Sequence, residues 1–192
     1  MATLKIATHD SATGERPLWW CALLTPFART QSKTLYEQYR NGCRVFDIRV
    51  KKVGKTWRCA HGWWFTKRTF DDIMEELDLY ARTDEIVVYL TYEGKTENAE
   101  AFEKYVKDYV KKRYTHIRYG VVCAKYGKES KGLKVKYESL VNADVWVISK
   151  RAFLPLDGTT WHTYIPIPWL WKQFYFKKVC FNEDFYLFVD FL

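Results

Sequence analysis

Short runs of apolar and β-branched residues alternate along the chain with longer segments in which apolar residues recur every three or four positions. Runs of the first kind predict β-strands, and segments of the second kind predict amphipathic helices. The alternation is typical of an α/β protein with a parallel sheet. The strands are expected at 4–8, 44–50, 57–61, 85–91 and 185–191, with further candidates at 121–124, 144–150 and 161–165. The helices are expected at about 34–41, 69–82 and 98–113.

Polar residues at the predicted helix ends support these boundaries. Thr34 and Glu37 have the spacing of a capping box, and Asn41-Gly42 supplies a stop signal. Thr69 and Asn98 stand where the next two helices begin, and we expect their side chains to cap them.

The number of strand candidates favours one particular architecture. Seven or eight strands alternating with helices predict a compact, distorted (β/α)8 TIM-type barrel. The chain has 192 residues, whereas this barrel usually needs about 250, so its late helices must be trimmed. An open, doubly wound sheet is the alternative. The length and the absence of internal repeats predict a single domain over 1–192.

The charge of the chain narrows the choice of partners. A net charge of +8 favours phosphate groups, nucleic acid or an acidic membrane surface. The Lys-rich segments 104–113 and 125–136 accompany no recognised nucleic-acid motif, so we expect no nucleic acid. A phospholipid or other phosphodiester substrate and a peripheral membrane surface remain, and we expect a monomer.

The cysteines and the hydropathy of the chain indicate where in the cell the protein is expected. The five cysteines are odd in number and contain no CxxC pair, so they indicate neither a zinc site nor a disulfide framework. Reduced thiols fit a cytoplasmic protein. No apolar run reaches the roughly twenty residues that span a bilayer, and we recognise no signal peptide. We therefore expect a cytoplasmic or peripheral membrane protein.

Two tryptophan doublets, Trp19-Trp20 and Trp63-Trp64, follow polar motifs at predicted strand ends. Neighbouring side chains on an extended segment point to opposite sides, so both members of a doublet cannot face inward. Amphipathic indole rings suit the lipid headgroup region. We therefore predict that Trp19, Trp20, Trp63 and Trp64 form a membrane-contact surface, with ordinary partial burial as the alternative.

Polar side chains that suit phosphodiester chemistry occur at the predicted strand ends, where parallel α/β folds place their sites. One histidine can accept a proton from an attacking hydroxyl while another donates a proton to the leaving oxygen. An arginine can hold the non-bridging phosphate oxygens, and a carboxylate can orient a histidine. The candidates are His9, Asp10, Asp47, Arg49, His61 and Asp190.

Several motifs resemble, in chain order, those of the catalytic domain of the phosphatidylinositol-specific phospholipase C family. They lie at 8–13, Gln31, Thr34, 38–49, 60–62, 69–73 and 84–88, and together they cover about the first 93 residues. The family has a distorted TIM-type barrel. Its bacterial branch cleaves phosphatidylinositol through attack of the inositol 2-hydroxyl on phosphorus, giving diacylglycerol and a cyclic inositol phosphate.

The resemblance implies a role for each matching residue. His9 corresponds to the general base and His61 to the general acid, and Arg49 stabilises the phosphate. Asp10 assists Arg49 and the acid, and Asp190 orients His9.

The second-strand motif separates branches of the superfamily. Metal-dependent relatives place two acidic ligands there, whereas this chain has Asp47 and then Arg49. That resembles the bacterial arrangement and implies a metal-independent enzyme without a cofactor.

The headgroup-binding residues are less well matched. Arg151 and Tyr164 correspond to substrate-binding positions, and His162 replaces an expected Asp. Two alternative functions stay open: a metal-dependent glycerophosphodiester phosphodiesterase and a non-catalytic module that binds anionic lipid.

Overall fold

The computed structural model describes residues 5–8, 10–94, 98–119 and 186–189. In these ranges, seven strands form one mixed sheet, and helices pack against it. The strands are β1 (Lys5–Thr8), β2 (Cys43–Val53), β3 (Thr56–His61), β4 (Trp64–Thr69), β5 (Val87–Tyr92), β6 (Arg118–Tyr119) and β7 (Tyr186–Val189). The helices are α1 (Thr25–Ala28), α2 (Leu35–Arg40), α3 (Phe70–Ala81), α4 (Ala99–Tyr105) and α5 (Lys111–Arg113), with a π-helical turn at Val106–Val110 and 3-10 turns at Ser11–Gly14 and Trp19–Leu24.

The parallel part of the sheet has the order β6-β5-β2-β1-β7. The last described strand therefore pairs with the first, with Thr8 opposite Val189. A closed barrel requires this neighbour relation. The described strands form a mixed α/β sheet.

The segment that follows β2 departs from the parallel sheet that the sequence predicts. Strand β2 continues to Val53 and turns back into β3, which in turn pairs antiparallel with β4. Both turns have two-residue loops that contain a glycine with positive φ, Gly54 at 60° and Gly62 at 62°. Glycine adopts this conformation readily, which allows such tight hairpins. We did not predict β4.

The predicted helices are present, and two of their caps are confirmed. Thr34 with Glu37 and Thr69 with Asp72 form complete capping boxes. Asn98 stands at the start of α4, but its side chain makes no capping hydrogen bond, so that part of the prediction is wrong. The predicted strands 121–124, 144–150 and 161–165 and the Lys-rich loop 125–136 lie outside the described residues.

The core lies between one face of the sheet and the helices. Alternate residues of β2, including Phe46, Ile48 and Val50, pack with α3, β5 and the 99–113 helical segment. Because side chains alternate across a strand, Asp47 and Arg49 point to the opposite face. The sequence of β2 thus builds an apolar face for folding and a polar face for a site.

Candidate active site

Three carboxylates surround the guanidinium of Arg49. Its Nε forms ion pairs with Asp10 Oδ1 and, at 3.2 Å, with Asp47 Oδ2, and its Nη1 lies 3.1 Å from Glu93 Oε1. Asp10 follows β1, Asp47 and Arg49 belong to β2, and Glu93 follows β5. The chain thus brings these side chains together at the edge where parallel α/β sheets carry their sites.

The electrostatics of this cluster keep Arg49 charged. Burial by itself lowers the pKa of the guanidinium, but Asp10, Asp47 and Glu93 outweigh that effect, so the pKa of Arg49 is raised. The side chain is only 10% exposed. A permanent cation therefore lies near the strand ends, where it can neutralise an anionic group.

Asp10 has a left-handed backbone conformation, with φ 45° and ψ 47°. Its amide donates to Asp47 Oδ2 over 3.2 Å, and its carbonyl accepts hydrogen bonds of 2.8 Å from both the amide and the hydroxyl of Thr13. Non-glycine residues rarely adopt this conformation, and it is often found at functional sites. These hydrogen bonds hold the buried Asp10 carboxylate between Arg49 and His61.

His61 ends β3 and faces the same carboxylate. Its Nε2 lies 3.5 Å from Asp10 Oδ2, and its Nδ1 lies 2.7 Å from the carbonyl oxygen of Ala28. A carbonyl oxygen only accepts hydrogen bonds, so Nδ1 carries a proton. Both ring nitrogens of the doubly protonated form thus face acceptors, and Nε2 is the nitrogen that can release a proton into the site.

Glu93 is a site residue that the sequence interpretation missed. Besides its contact with Arg49, it accepts a hydrogen bond of 3.1 Å from the amide of Gly62. The carbonyl of Gly62 accepts another hydrogen bond from Lys51. Glu93 therefore connects the arginine with the peptide that follows His61. It comes directly after a predicted strand, so the strand-end rule applied to the other candidates would have found it.

The tryptophan doublets separate into exposed and buried members. Trp19, Trp20 and Trp63 are 86%, 46% and 77% exposed. Trp64 is 1% exposed, and its Nε1 donates to Thr25 Oγ1 over 3.1 Å. Its inclusion in the membrane-contact surface is therefore wrong, because the turn at 62–63 directs the Trp64 ring toward the protein.

Leucine and phenylalanine side chains extend the exposed apolar surface. Leu23, Leu24 and Phe27 are exposed on the segment that carries Trp19 and Trp20. We name this surface, which comprises Trp19, Trp20, Leu23, Leu24, Phe27 and Trp63, the apolar rim.

The structure brings Asp10, Asp47, Arg49 and His61 together, as the sequence predicts. The other candidate residues, His9, Arg151, Tyr164 and Asp190, lie outside the described residues, as does His162. Their roles stay predictions.

The part of the chain that the structure describes contains neither a metal-ligand cluster nor a helix that could span a membrane. Within 5–8, 10–94, 98–119 and 186–189, no three His, Cys, Asp or Glu side chains are arranged to hold a metal ion. Instead, the guanidinium of Arg49 lies among the three carboxylates. Across the same ranges, no helix combines the length and the apolar composition that a bilayer crossing needs.

Fold and site define a mixed α/β protein with a strand-end site in which one arginine lies among three carboxylates. No protein-family profile matches the chain, and no curated protein matches it. Solved structures that match the chain include bacterial phosphatidylinositol-specific phospholipases C. One, a pentafluoro-Phe-substituted enzyme from Staphylococcus aureus, aligns with a TM-score of 0.50 and 18% identity over 78% of this chain and 54% of its own.

Two more of these structures match shorter parts. An F249X mutant from S. aureus has 21% identity and a TM-score of 0.45 over 55% of this chain and 36% of its own. The Listeria monocytogenes enzyme has 23% identity and a TM-score of 0.44 over 55% of this chain and 39% of its own. The chain thus spans about half or less of these relatives. The first alignment confirms the resemblance at the level of fold.

Proposed function

We propose that the protein is a metal-independent phosphodiesterase that cleaves phosphatidylinositol or a related glycerophospholipid. The observation that carries this proposal is the position of Arg49, whose guanidinium lies among three carboxylates while His61 contacts one of them. Within the cluster, Arg49 supplies a fixed positive charge and His61 an adjacent proton donor, and phosphodiester cleavage uses both.

In the proposed reaction the inositol 2-hydroxyl oxygen forms a bond to phosphorus, and its proton passes to His9. The bond between phosphorus and the glycerol oxygen breaks, and His61 Nε2 gives its proton to that oxygen. The products are a cyclic inositol phosphate and diacylglycerol. Arg49 neutralises charge on the non-bridging oxygens during the transfer, and the Asp10 carboxylate, 3.5 Å from His61 Nε2, helps to orient the imidazole.

The register of the sheet supports the proposed role of His9 as general base. Thr8 of β1 pairs with Val189 of β7 in parallel. The next residues along the chain are His9 and Asp190. His9 and Asp190 therefore follow two neighbouring strands in the sequence. This suits the proposed role of Asp190, which is to orient His9 as the general base. The same adjacency of first and last strands supports the proposal of a distorted TIM-type barrel.

The apolar rim is the proposed contact with a membrane surface. Trp19, Leu23 and Phe27 follow one another at intervals of four residues and are all strongly exposed. Trp63 extends this rim beside His61, and the ammonium group of Lys51 lies 5.7 Å from its ring centre. Exposed indole rings beside a cation suit the headgroup region of a bilayer. Arg151 and Tyr164 are proposed to bind the headgroup.

Turnover of radiolabelled phosphatidylinositol, measured with and without EDTA, tests the proposal. We expect cyclic inositol phosphate to form at the same rate in both conditions. We also expect His61→Ala and His9→Ala each to lower kcat by about 10²–10⁴-fold. His116→Ala, which changes an exposed histidine paired with the buried Asp78, is expected to keep the wild-type rate. Loss of activity with EDTA favours the metal-dependent phosphodiesterase, and vesicle binding without turnover favours the lipid-binding module.

A further inference from the structure

The ring of His61 is oriented by a very short helix. Its Nδ1 donates to the carbonyl of Ala28, the last residue of α1. This helix is one turn long, and the hydrogen bond from the Arg29 amide to the Thr25 carbonyl, at 2.9 Å, closes it. A single helical turn is unstable by itself, so contacts from outside must hold it in place.

Two residues of the β3–β4 hairpin contact opposite ends of α1. His61 and Trp64 face each other across the hairpin. Trp64 Nε1 donates to the hydroxyl of Thr25 at the start of α1 over 3.1 Å, while His61 contacts Ala28 at its end over 2.7 Å. The Trp64 ring is buried and lines a small pocket together with Asp10 and Arg49.

A third contact fixes the chain just after α1. The Arg29 side chain donates to the carbonyls of Gln31, Gly14 and Ser32 at 2.9, 3.2 and 3.2 Å. Arg29 therefore holds one end of the segment, and the Trp64–Thr25 hydrogen bond holds the other. Together these contacts set the place of the Ala28 carbonyl.

We infer that Thr25 and Trp64 are positioning residues for the general acid. Their hydrogen bond keeps the Ala28 carbonyl 2.7 Å from His61 Nδ1, which is closer than the 3.5 Å between Nε2 and Asp10 Oδ2. The neutral ring therefore carries its proton on Nδ1 and leaves Nε2 as the nitrogen that exchanges protons with the substrate. The catalytic consequence rests on the proposed function. The tautomer of His61 does not, and it can be measured without any substrate.

The test uses Thr25→Val and Trp64→Phe, which each remove one partner of the hydrogen bond and keep most of the side-chain shape. Imidazole 15N NMR, with His61 resonances assigned through a His61→Asn variant, reports the tautomer. We expect the Nδ1–H form in the wild-type protein and a mixture with the Nε2–H form in both variants. The double variant is expected to resemble either single variant, because one hydrogen bond is lost in all three.

Three control variants separate this effect from a general disturbance. Trp57→Phe changes the tryptophan at the other end of β3, which packs against Tyr92, Phe102 and Tyr105. Thr83→Val removes a hydroxyl that bonds the Tyr80 carbonyl. Both are expected to leave the His61 spectrum unchanged. Thr25→Ser retains the hydroxyl and is expected to retain the wild-type tautomer.

The inference is overturned if wild-type His61 carries its proton on Nε2, or if Thr25→Val and Trp64→Phe keep the wild-type pattern. A Thr25→Ser spectrum as altered as that of Thr25→Val also overturns it, because methyl packing would then hold α1. On soluble short-chain phosphatidylinositol, both variants should lower kcat roughly 10-fold with little change in KM. If the wild-type protein does not turn over this substrate, the proposed function fails, and the NMR result still decides the positioning role.

Discussion

The two sides of the candidate site are built from different kinds of contact. Asp10, Asp47, Arg49 and Glu93 lie on or after parallel strands, and buried ion pairs hold them together. His61 lies on the β3–β4 hairpin, and a backbone carbonyl from a one-turn helix orients it. The side that contains Arg49 is thus held by buried ion pairs. The side that contains His61 depends on a hydrogen bond to the backbone of a segment with many exposed side chains.

Substitution of Arg49 or of His61, the central residue of each side, tests this difference most strongly. Arg49→Met leaves three buried carboxylates without their cation and should lower the free energy of unfolding by about 3–5 kcal/mol. His61→Asn should lower it by only about 0.5–1.5 kcal/mol, because it removes weaker contacts. Urea denaturation measures both values.

Arg44→Met is the matched control for the arginine. Arg44 pairs with the partly exposed Asp84 at 3.4 Å, and its loss should cost about 0–1 kcal/mol. If Arg49→Met and Arg44→Met lower the free energy of unfolding equally, the ion pairs of Arg49 do not hold its side of the site in place.

Glu93 belongs to both sides, and its substitution sharpens the comparison. Glu93→Gln retains the shape but places a neutral amide between Arg49 and the Gly62 amide. We expect a loss of about 1.5–3 kcal/mol in the free energy of unfolding, as for hydrogen bonds to charged groups. Glu103→Gln, which affects an exposed pair with Lys107, should cost only about 0.3–0.5 kcal/mol. A Glu93→Gln protein as stable as this control contradicts the bridging role.

The smallest effect on stability is expected at the apolar rim. Trp19→Ala and Leu23→Ala should change the free energy of unfolding by less than about 0.5 kcal/mol, since both side chains are strongly exposed. Both should weaken co-sedimentation with phosphatidylinositol-containing vesicles. Tyr36→Ala replaces an exposed ring on α2 and serves as the control. If all three variants bind vesicles like the wild-type protein, the rim does not contact the membrane.

Periodic and local signals explain why much of the fold was predicted. Helix α3 shows apolar residues at helical spacing and a capping box at Thr69, so its position followed from the sequence. The course of the chain after β2 could not be predicted in this way. Gly54 and Gly62 mark possible turns, but the pairing of β3 with β2 depends on contacts between strands that a single sequence does not reveal.

The site was predictable where residue type carries the signal. Asp10, Arg49 and His61 are chemically distinctive and stand at strand ends, so the sequence singles them out. The Ala28 carbonyl is a backbone group, and any residue at that position could supply it. The alternation rule excludes burial of both rings of Trp63-Trp64, but only the structure shows that Trp64 is buried.

The Asp10 carboxylate uses its two oxygens for two different partners, Oδ1 for Arg49 and Oδ2 for His61. An amide at this position has only one acceptor oxygen, so its NH2 group would have to face either the guanidinium or the imidazole. The two equivalent oxygens of the carboxylate therefore let one side chain contact a guanidinium and an imidazole at once.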